Sequence, residues 1–208
     1  MRYDAFVQKV RSFALFGDDV LSTFEGTLGY WHLQLNRWAK KGQVIRLKKG
    51  IYALPEERRA CSFSVTWLAN ALYSPSYLSL EYVMSLNDFI PEQVHRVTSI
   101  TSLKTKKFQN LLGVFSYRHL KNSLFFGFEE KQDEFGKSIL IATPEKALLD
   151  FIYLYPGWEN TLAFLQENLR LQNLDQLKSK RFNEYALQFR SKKIFKAAQF
   201  ILKEKNNL

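Results

Sequence analysis

The first 54 residues contain three successive helical patterns of apolar positions. Residues 2–15 carry apolar side chains at spacings of three and four, which predicts an amphipathic helix. Gly17 interrupts this pattern, and residues 20–24 predict a short second helix that ends at Gly26. A third helix is predicted from Thr27. Its buried face consists of four side chains spaced three, four and three apart: Leu28, Trp31, Leu35 and Trp38.

The segment after the third helix changes to the short, β-prone runs of a hairpin. Residues 43–47 and 51–54 are the two runs, and Lys48, Lys49 and Gly50 join them. Gly50 can adopt the positive φ that a three-residue hairpin loop requires. Three helices followed by a hairpin predict a winged helix-turn-helix domain over residues 1–56.

A second domain is predicted for residues 60–208, after a short charged linker at 55–59. Thr143 and Pro144 are a helix start, because a hydroxyl caps the first turn and proline suits the first helical position. After Pro156 and Gly157 about three more helices are predicted. The remaining elements predicted for this domain are helices at 63–72 and 79–87, strands at 97–101, 114–119, 124–128 and 138–142, and a last helix near 191–204.

These elements define the predicted fold class, which is α+β. The N-terminal winged helix-turn-helix is followed by a mixed α+β domain with a small sheet, antiparallel or mixed, and a helical C-terminal tail. The composition, with 46% hydrophobic and 15% aromatic residues, is that of a chain that buries a core rather than a disordered one.

Charge is unevenly distributed along the chain, which has a net charge of +10. Residues 1–60 sum to +5, residues 61–160 to −1 and residues 161–208 to +6. Between Tyr30 and Leu54 there are six basic side chains and no Asp or Glu. Basic ends favour a polyanionic partner, and a solvated basic surface that serves solubility is the alternative.

The predicted DNA contacts lie on the third helix and the hairpin. Side chains near the start of the helix are expected to meet base edges, and cations at its end and on the hairpin are expected to meet phosphates. The alternatives are helix capping for the helix-end lysines and protection of a strand edge for the hairpin lysines. The nine candidates are Tyr30, His32, Gln34, Arg37, Lys40, Lys41, Arg46, Lys48 and Lys49.

No catalytic, metal or cofactor site is predicted. The lone cysteine, Cys61, cannot form an internal disulfide, and the chain has no apolar run of about 18 residues that could span a membrane, so a cytoplasmic protein is expected. Glu129, Glu130 and Lys131 could supply the acid-x-lysine half of a metal-dependent nuclease site, with Asp88 or Asp150 as the partner acid, but a solvated turn is the stronger prediction.

Five phrases of the chain resemble the AbiEi family in order and spacing: KKGQVIRLKKGIYAL at 40–54, PSYLSLEYVMSLNDFIPE at 75–92, VTSITSLKTKKF at 97–108, FSYRHLKNSLFFGF at 115–128 and IATPEKALLDFIYL at 141–154. This family comprises antitoxins of type IV toxin–antitoxin systems that are also transcriptional autorepressors. The resemblance implies operator DNA as a partner and a nucleotidyltransferase-like toxin as a functional partner that need not be bound directly. It also implies that Arg37, Lys40, Lys41 and the hairpin cations contact DNA, and that the protein is not an enzyme.

Two other functions stay open at the level of sequence. One is a nucleic-acid-processing enzyme, such as a metal-dependent nuclease, that a winged helix delivers to its substrate. The other is a stand-alone regulator with a protein-interaction domain, in which basic residues near the C-terminus hold an acidic partner or extend the DNA contact: Lys192, Lys193 and Lys196. The sequence leaves the oligomeric state undetermined.

Overall fold

The protein is an α+β chain with two β-sheets, as a computed structural model of residues 1–155 and 170–206 describes it. The α+β class predicted from the sequence is therefore confirmed. The helix predicted directly after Pro156 and Gly157 falls on residues 156–169, which lie outside the described residues.

The N-terminal part folds as three helices and a three-stranded antiparallel sheet. Thr27 caps the third helix by accepting a hydrogen bond from the Tyr30 amide, and Gly50 has a φ of +78° in the hairpin loop. The strand order is β1-β3-β2. In chain order the elements are α1 (Tyr3–Val10), β1 (Phe16–Gly17), α2 (Asp18–Leu21), α3 (Leu28–Lys40), β2 (Ile45–Lys48) and β3 (Ile51–Ala53).

The second part is built on a six-stranded mixed sheet with the order β6-β7-β5-β4-β9-β8, in which β5 pairs with β7 and β4 with β9 in parallel. A 3₁₀ turn at Glu56–Arg58 connects it to the first part. Its elements are α4 (Val65–Leu72), β4 (Ser76–Leu78), α5 (Leu80–Leu86), β5 (Val97–Thr101), β6 (Lys106–Asn110), β7 (Gly113–His119), β8 (Phe128–Gln132), β9 (Ser138–Ala142), α6 (Pro144–Leu154), α7 (Ser179–Gln188) and α8 (Lys192–Asn206).

Helices cover both faces of the six-stranded sheet. Tyr117 on β7 points to α4, where its hydroxyl donates to the Ala69 carbonyl over 2.6 Å. Tyr77 on β4 points to the other face, where its hydroxyl donates to the Asp150 carboxylate of α6 over 2.9 Å. Because successive side chains of a strand alternate between faces, the register of β4, β5 and β7 assigns these two tyrosines to opposite sides.

The β2–β3 hairpin contributes to both hydrophobic cores. Tyr52 belongs to the core under α1 and α3, whereas Ile45, Leu47 and Ala53 belong to the core of the second part. The Asn110 side chain on β6 also donates a hydrogen bond to the Leu47 carbonyl over 3.1 Å. The hairpin is therefore packed between the N-terminal helices and the large sheet.

Several predicted elements differ from the structure. The first helix ends at Val10 rather than near 15, and the strand predicted at 124–128 is wrong, because a 3₁₀ turn covers Asn122–Leu124 and β8 begins only at Phe128. Strands β1, β4 and β6 were not predicted. β1 has two residues, and β6 has the polar pattern of an edge strand, so neither carries an alternating apolar signal.

Candidate nucleic-acid interface

Helix α3 buries one side and exposes the other. Trp31, Leu35 and Trp38 are buried, in agreement with the predicted core face, although Leu28 is 39% exposed. The opposite side is solvent-facing and consists of residues at spacings of three and four: Leu33, Asn36, Arg37 and Lys40. This outward face is exposed, and an α-helix with an exposed face fits the major groove of B-DNA.

The three residues predicted to read bases have different surroundings. Tyr30 is 37% exposed, and its hydroxyl accepts a hydrogen bond from the Met1 amino group over 2.8 Å. His32 Nε2 lies 2.6 Å from Asp18 Oδ1 on α2. Gln34 is half-buried. It lies about 200° around the helix from His32, so these two side chains flank the outward face on opposite sides.

A groove of about 380 Å³ runs between α3 and the hairpin. His32 and Asn36 form its helix side, and Arg46 and Lys49 form its hairpin side. Asp18, Gly50 and Tyr52 complete the lining. The structure thus brings three of the predicted contact residues together, and it adds Asn36, which the prediction missed. The signal for Asn36 was its position four residues after His32 on the predicted helix.

Lys48 does not share the groove with Arg46. A β-bulge shifts the register of β2 between Arg46 and Lys48, so the usual alternation of faces is broken at this point. The Lys48 ammonium donates to the Leu72 carbonyl at the end of α4 over 2.6 Å and lies 5.7 Å from the centre of the Phe108 ring. Burial lowers the pKa of Lys48. The structure therefore directs Lys48 to the second part of the protein, away from the predicted phosphate contact.

The other five predicted cations are exposed: Arg37, Lys40, Lys41, Arg46 and Lys49. Within residues 1–155 and 170–206, no carboxylate oxygen lies within 4.0 Å of any of their charged nitrogens. Lys40 and Lys41 occupy the last turn and the C-cap of α3, where a helix dipole also favours cations. Capping at that position leaves their ammonium groups in solvent, available to a polyanion.

The carboxylates considered for a nuclease do not converge. Glu129 is exposed and lies 3.4 Å from Arg181 and 4.0 Å from Lys131, measured between charged atoms. Asp150 is fully buried, whereas Asp88 is exposed. In the part of the chain that the structure describes, no cluster of three or more His, Cys, Asp or Glu side chains is arranged to hold a metal ion.

A buried polar network in the second part was also missed by sequence reasoning. Lys146 and Asp150, one turn apart on α6, form an ion pair with no exposed surface. Tyr77 and Ser79 each donate a hydrogen bond of 2.9 Å to Asp150, and Lys146 donates one of 2.9 Å to Tyr77. Burial raises the pKa of Asp150 and lowers the pKa of Lys146. The network joins α6 to β4, and its charged atoms are sealed from solvent.

The fold and this surface define an α+β protein with a cationic helix–hairpin face. No protein family matches the chain, and no curated protein matches it either. Among the described residues, no helix combines the length and the apolar character needed to cross a bilayer.

Proposed function

We propose that the protein is a DNA-binding transcriptional repressor whose N-terminal part is a winged helix-turn-helix. The order of elements, α1-β1-α2-α3-β2-β3, with a β1-β3-β2 sheet, supports this proposal because a winged helix-turn-helix has a β-hairpin, the wing, directly after its recognition helix. Helix α3 enters the major groove with its outward face, and the tip of the β2–β3 hairpin meets the neighbouring phosphate backbone.

The observation that carries the proposal is that five exposed cations have no carboxylate oxygen within 4.0 Å among the residues that the structure describes: Arg37, Lys40, Lys41, Arg46 and Lys49. Cations that are paired with carboxylates lose much of their attraction for phosphate, whereas unpaired ones release counterions when they bind DNA. The groove places Arg46 and Lys49 beside His32 and Asn36, so a duplex that contacts the helix also reaches the hairpin.

The biological role that we propose is that of an antitoxin and autorepressor of a type IV toxin–antitoxin system. The phrases that are similar to the AbiEi family support this role. In this proposal the protein binds operator DNA upstream of its own gene and counters a nucleotidyltransferase-like toxin, without catalysis of its own. The second part of the chain carries the antitoxin function.

The salt dependence of DNA binding tests the proposal. If each of the five exposed cations neutralises one phosphate, the logarithm of the binding constant should fall with the logarithm of the salt concentration with a slope of about −4.5. Fluorescence anisotropy with a labelled duplex from the region upstream of the gene measures this slope. A protein that does not bind this duplex at low salt contradicts the proposal.

Lys48 and Lys49 provide a matched pair of variants. Lys49→Ala should make the slope shallower by about 0.9, because its ammonium is exposed at the hairpin tip. Lys48→Ala should leave the slope unchanged and lower the melting temperature, because this ammonium binds the Leu72 carbonyl. Equal slopes for the two variants would contradict the proposed contact between the hairpin tip and the DNA backbone. Cleavage of the duplex upon addition of Mn²⁺ would instead favour the alternative function, which is that of a metal-dependent nuclease.

A further inference from the structure

The outward face of α3 has an uncharged stripe along its centre. Gly29, Leu33 and Asn36 lie at spacings of four and three, opposite the buried side of the helix, and all three are exposed. In protein–DNA interfaces cations meet phosphates, whereas uncharged polar and apolar side chains can meet base edges in the groove. The predicted phosphate contacts border this stripe: Arg37, Lys40, Lys41, Arg46 and Lys49.

Asn36 has a side-chain amide that the protein itself does not use. No hydrogen bond joins this amide to any residue that the structure describes. Tyr30 and His32, which were predicted to read bases, already have partners at 2.8 and 2.6 Å within the N-terminal part, and Gln34 is half-buried. An amide offers both a donor and an acceptor, and this pair matches the N7 acceptor and the N6 amino group of adenine in the major groove.

Leu33 is an exposed apolar side chain on the same stripe. It is 50% exposed and belongs to neither hydrophobic core. The apolar group that the major groove offers to such a side chain is the methyl group of thymine. Leu33 and Asn36 are about 4.5 Å apart along the helix axis, which is comparable with the spacing of about 3.4 Å between stacked base pairs. The two side chains can therefore contact neighbouring base pairs.

Gly29 leaves the first turn of the stripe without a side chain. Its φ is not positive, and a Cβ atom built there would lie 3.9 Å from the Thr27 hydroxyl oxygen, which is an ordinary van der Waals contact. The free protein therefore has room for alanine, which is a better helix former. The missing side chain exposes the backbone near the start of α3, where a recognition helix approaches base edges.

We propose that Asn36 and Leu33 determine the base preference of the protein by reading neighbouring A·T pairs in the major groove. The Asn36 amide donates to adenine N7 and accepts from the N6 amino group, while Leu33 packs on the methyl group of a thymine. Gly29 allows the close approach that both contacts need. This inference rests on the proposed function and adds to it the base pairs that lie beneath α3.

An exposed leucine on a helix can also pack against a second copy of the chain. The charge of this face opposes that arrangement, because the cations that border the stripe would be brought together from both copies. Analytical ultracentrifugation of the wild type and Leu33→Ala distinguishes the two arrangements. A wild-type dimer that Leu33→Ala converts into a monomer would overturn the proposed contact with thymine.

Changes of single groups in the DNA test the two base contacts separately. The probe is a duplex from the region upstream of the gene, in which each adenine in turn is replaced by 7-deazaadenine and each thymine by uracil. Asn36→Ala should weaken binding of the unmodified duplex by about 5- to 100-fold. At one adenine, 7-deazaadenine should weaken binding of the wild type but not of Asn36→Ala. At a neighbouring thymine, uracil should weaken binding of the wild type but not of Leu33→Ala.

The matched controls are Asn183→Ala and Leu187→Ala, which truncate an exposed asparagine and an exposed leucine on α7. Both should bind all the duplexes as the wild type does. The salt slope should stay near about −4.5 in every variant, because no charge is removed. Gly29→Ala should melt at a slightly higher temperature than the wild type and yet bind the duplex more weakly.

The outcomes separate this inference from the proposed function. If 7-deazaadenine and uracil weakened Asn36→Ala and Leu33→Ala as much as the wild type at every position, the inference would be overturned. The proposed function would stand in that case if the wild type kept its salt slope and Lys49→Ala still reduced it. A wild-type protein that does not bind DNA would overturn both.

Discussion

The Lys146 and Asp150 side chains are fully buried, and each supplies the opposite charge that the other one needs in this position. The Asp150 carboxylate accepts hydrogen bonds from Lys146, Tyr77 and Ser79, which offset part of the cost of burying its charge. Burial raises its pKa, while the neighbouring ammonium and the three hydrogen bonds lower it. A buried pair of this kind contributes little net stability, but the loss of one member leaves an uncompensated charge.

Replacing Lys146 with Met should therefore destabilise the fold by about 3–5 kcal/mol at neutral pH. Without the ammonium, the pKa of Asp150 rises further. A raised native pKa contributes stability below the unfolded-state pKa, and that contribution is lost as the pH rises through the native pKa. The variant should consequently become more stable relative to the wild type as the pH is lowered from 8 towards 5. Urea unfolding at several pH values measures this change.

The matched control is the double variant Lys146→Met with Asp150→Asn. The amide oxygen still accepts hydrogen bonds from Tyr77 and Ser79, but no carboxylate remains to titrate. Its stability relative to the wild type should not depend on pH in this range. A single variant with the same flat profile would mean that Asp150 is not the titrating group.

At the scale of elements, Asp133 connects the β8–β9 turn to the start of α4. One of its oxygens accepts from the Ser64 hydroxyl over 2.6 Å, and the other accepts from the amides of Phe135 and Lys137 over 3.0 and 2.7 Å. Ser64 itself caps α4 by accepting from the Trp67 amide. Burial raises the pKa of Asp133, but these hydrogen bonds lower it by more, so the net pKa lies below its ordinary value.

Asp133→Asn should cost about 1.5 kcal/mol at pH 7, because the hydrogen bonds to a charged acceptor are weakened. A depressed pKa gives stability that is present above the unfolded-state pKa and lost as the pH falls through the native pKa. The difference from the wild type should therefore shrink below about pH 4. Thermal unfolding at pH 7 and pH 3 tests this expectation, with Glu134→Gln as the exposed neighbouring control. A difference that is constant with pH would contradict it.

The elements that the sequence predicted well are those whose signals are local. Helix α3 has a strict apolar stripe and a threonine cap, and the hairpin has a glycine in its loop, so both were predicted within about two residues. Strand β6 begins with two exposed lysines, and its pairing with β7 depends on residues that the local pattern does not contain.

Among the candidate contact residues, too, those whose placement depends on local signals were predicted well. The exposure of Arg37 could be predicted from helical spacing alone. The direction of Lys48 could not, because it is set by a bulge and by a carbonyl of α4 that is 24 residues away in the chain. Asn36 was overlooked, although its position four residues after His32 on the predicted helix α3 was available from the sequence.

At the scale of the whole molecule, the hairpin links two hydrophobic cores. Leu47 is 2% exposed and packs in the core of the second part, while Tyr52 on the partner strand packs in the core of the first. Leu47→Ala should reduce the free energy of unfolding by about 2–5 kcal/mol. Because the hairpin is shared, one cooperative transition should remain for the whole chain.

Calorimetry and tryptophan fluorescence together measure this effect. Leu33→Ala is the control, since Leu33 is 50% exposed on α3 and its truncation should change stability little. Two separate unfolding transitions in the Leu47→Ala variant would mean that the cores are independent.

Because Ile45, Leu47 and Ala53 are buried against the large sheet, the N-terminal segment is not an exchangeable module. A chimera that grafts residues 1–56 onto another scaffold would leave these apolar side chains without a counterpart, and the loop carrying Lys49 would lose its support. Transplanting this helix–hairpin surface would require the Asn110 edge of the sheet to be carried along with the helices.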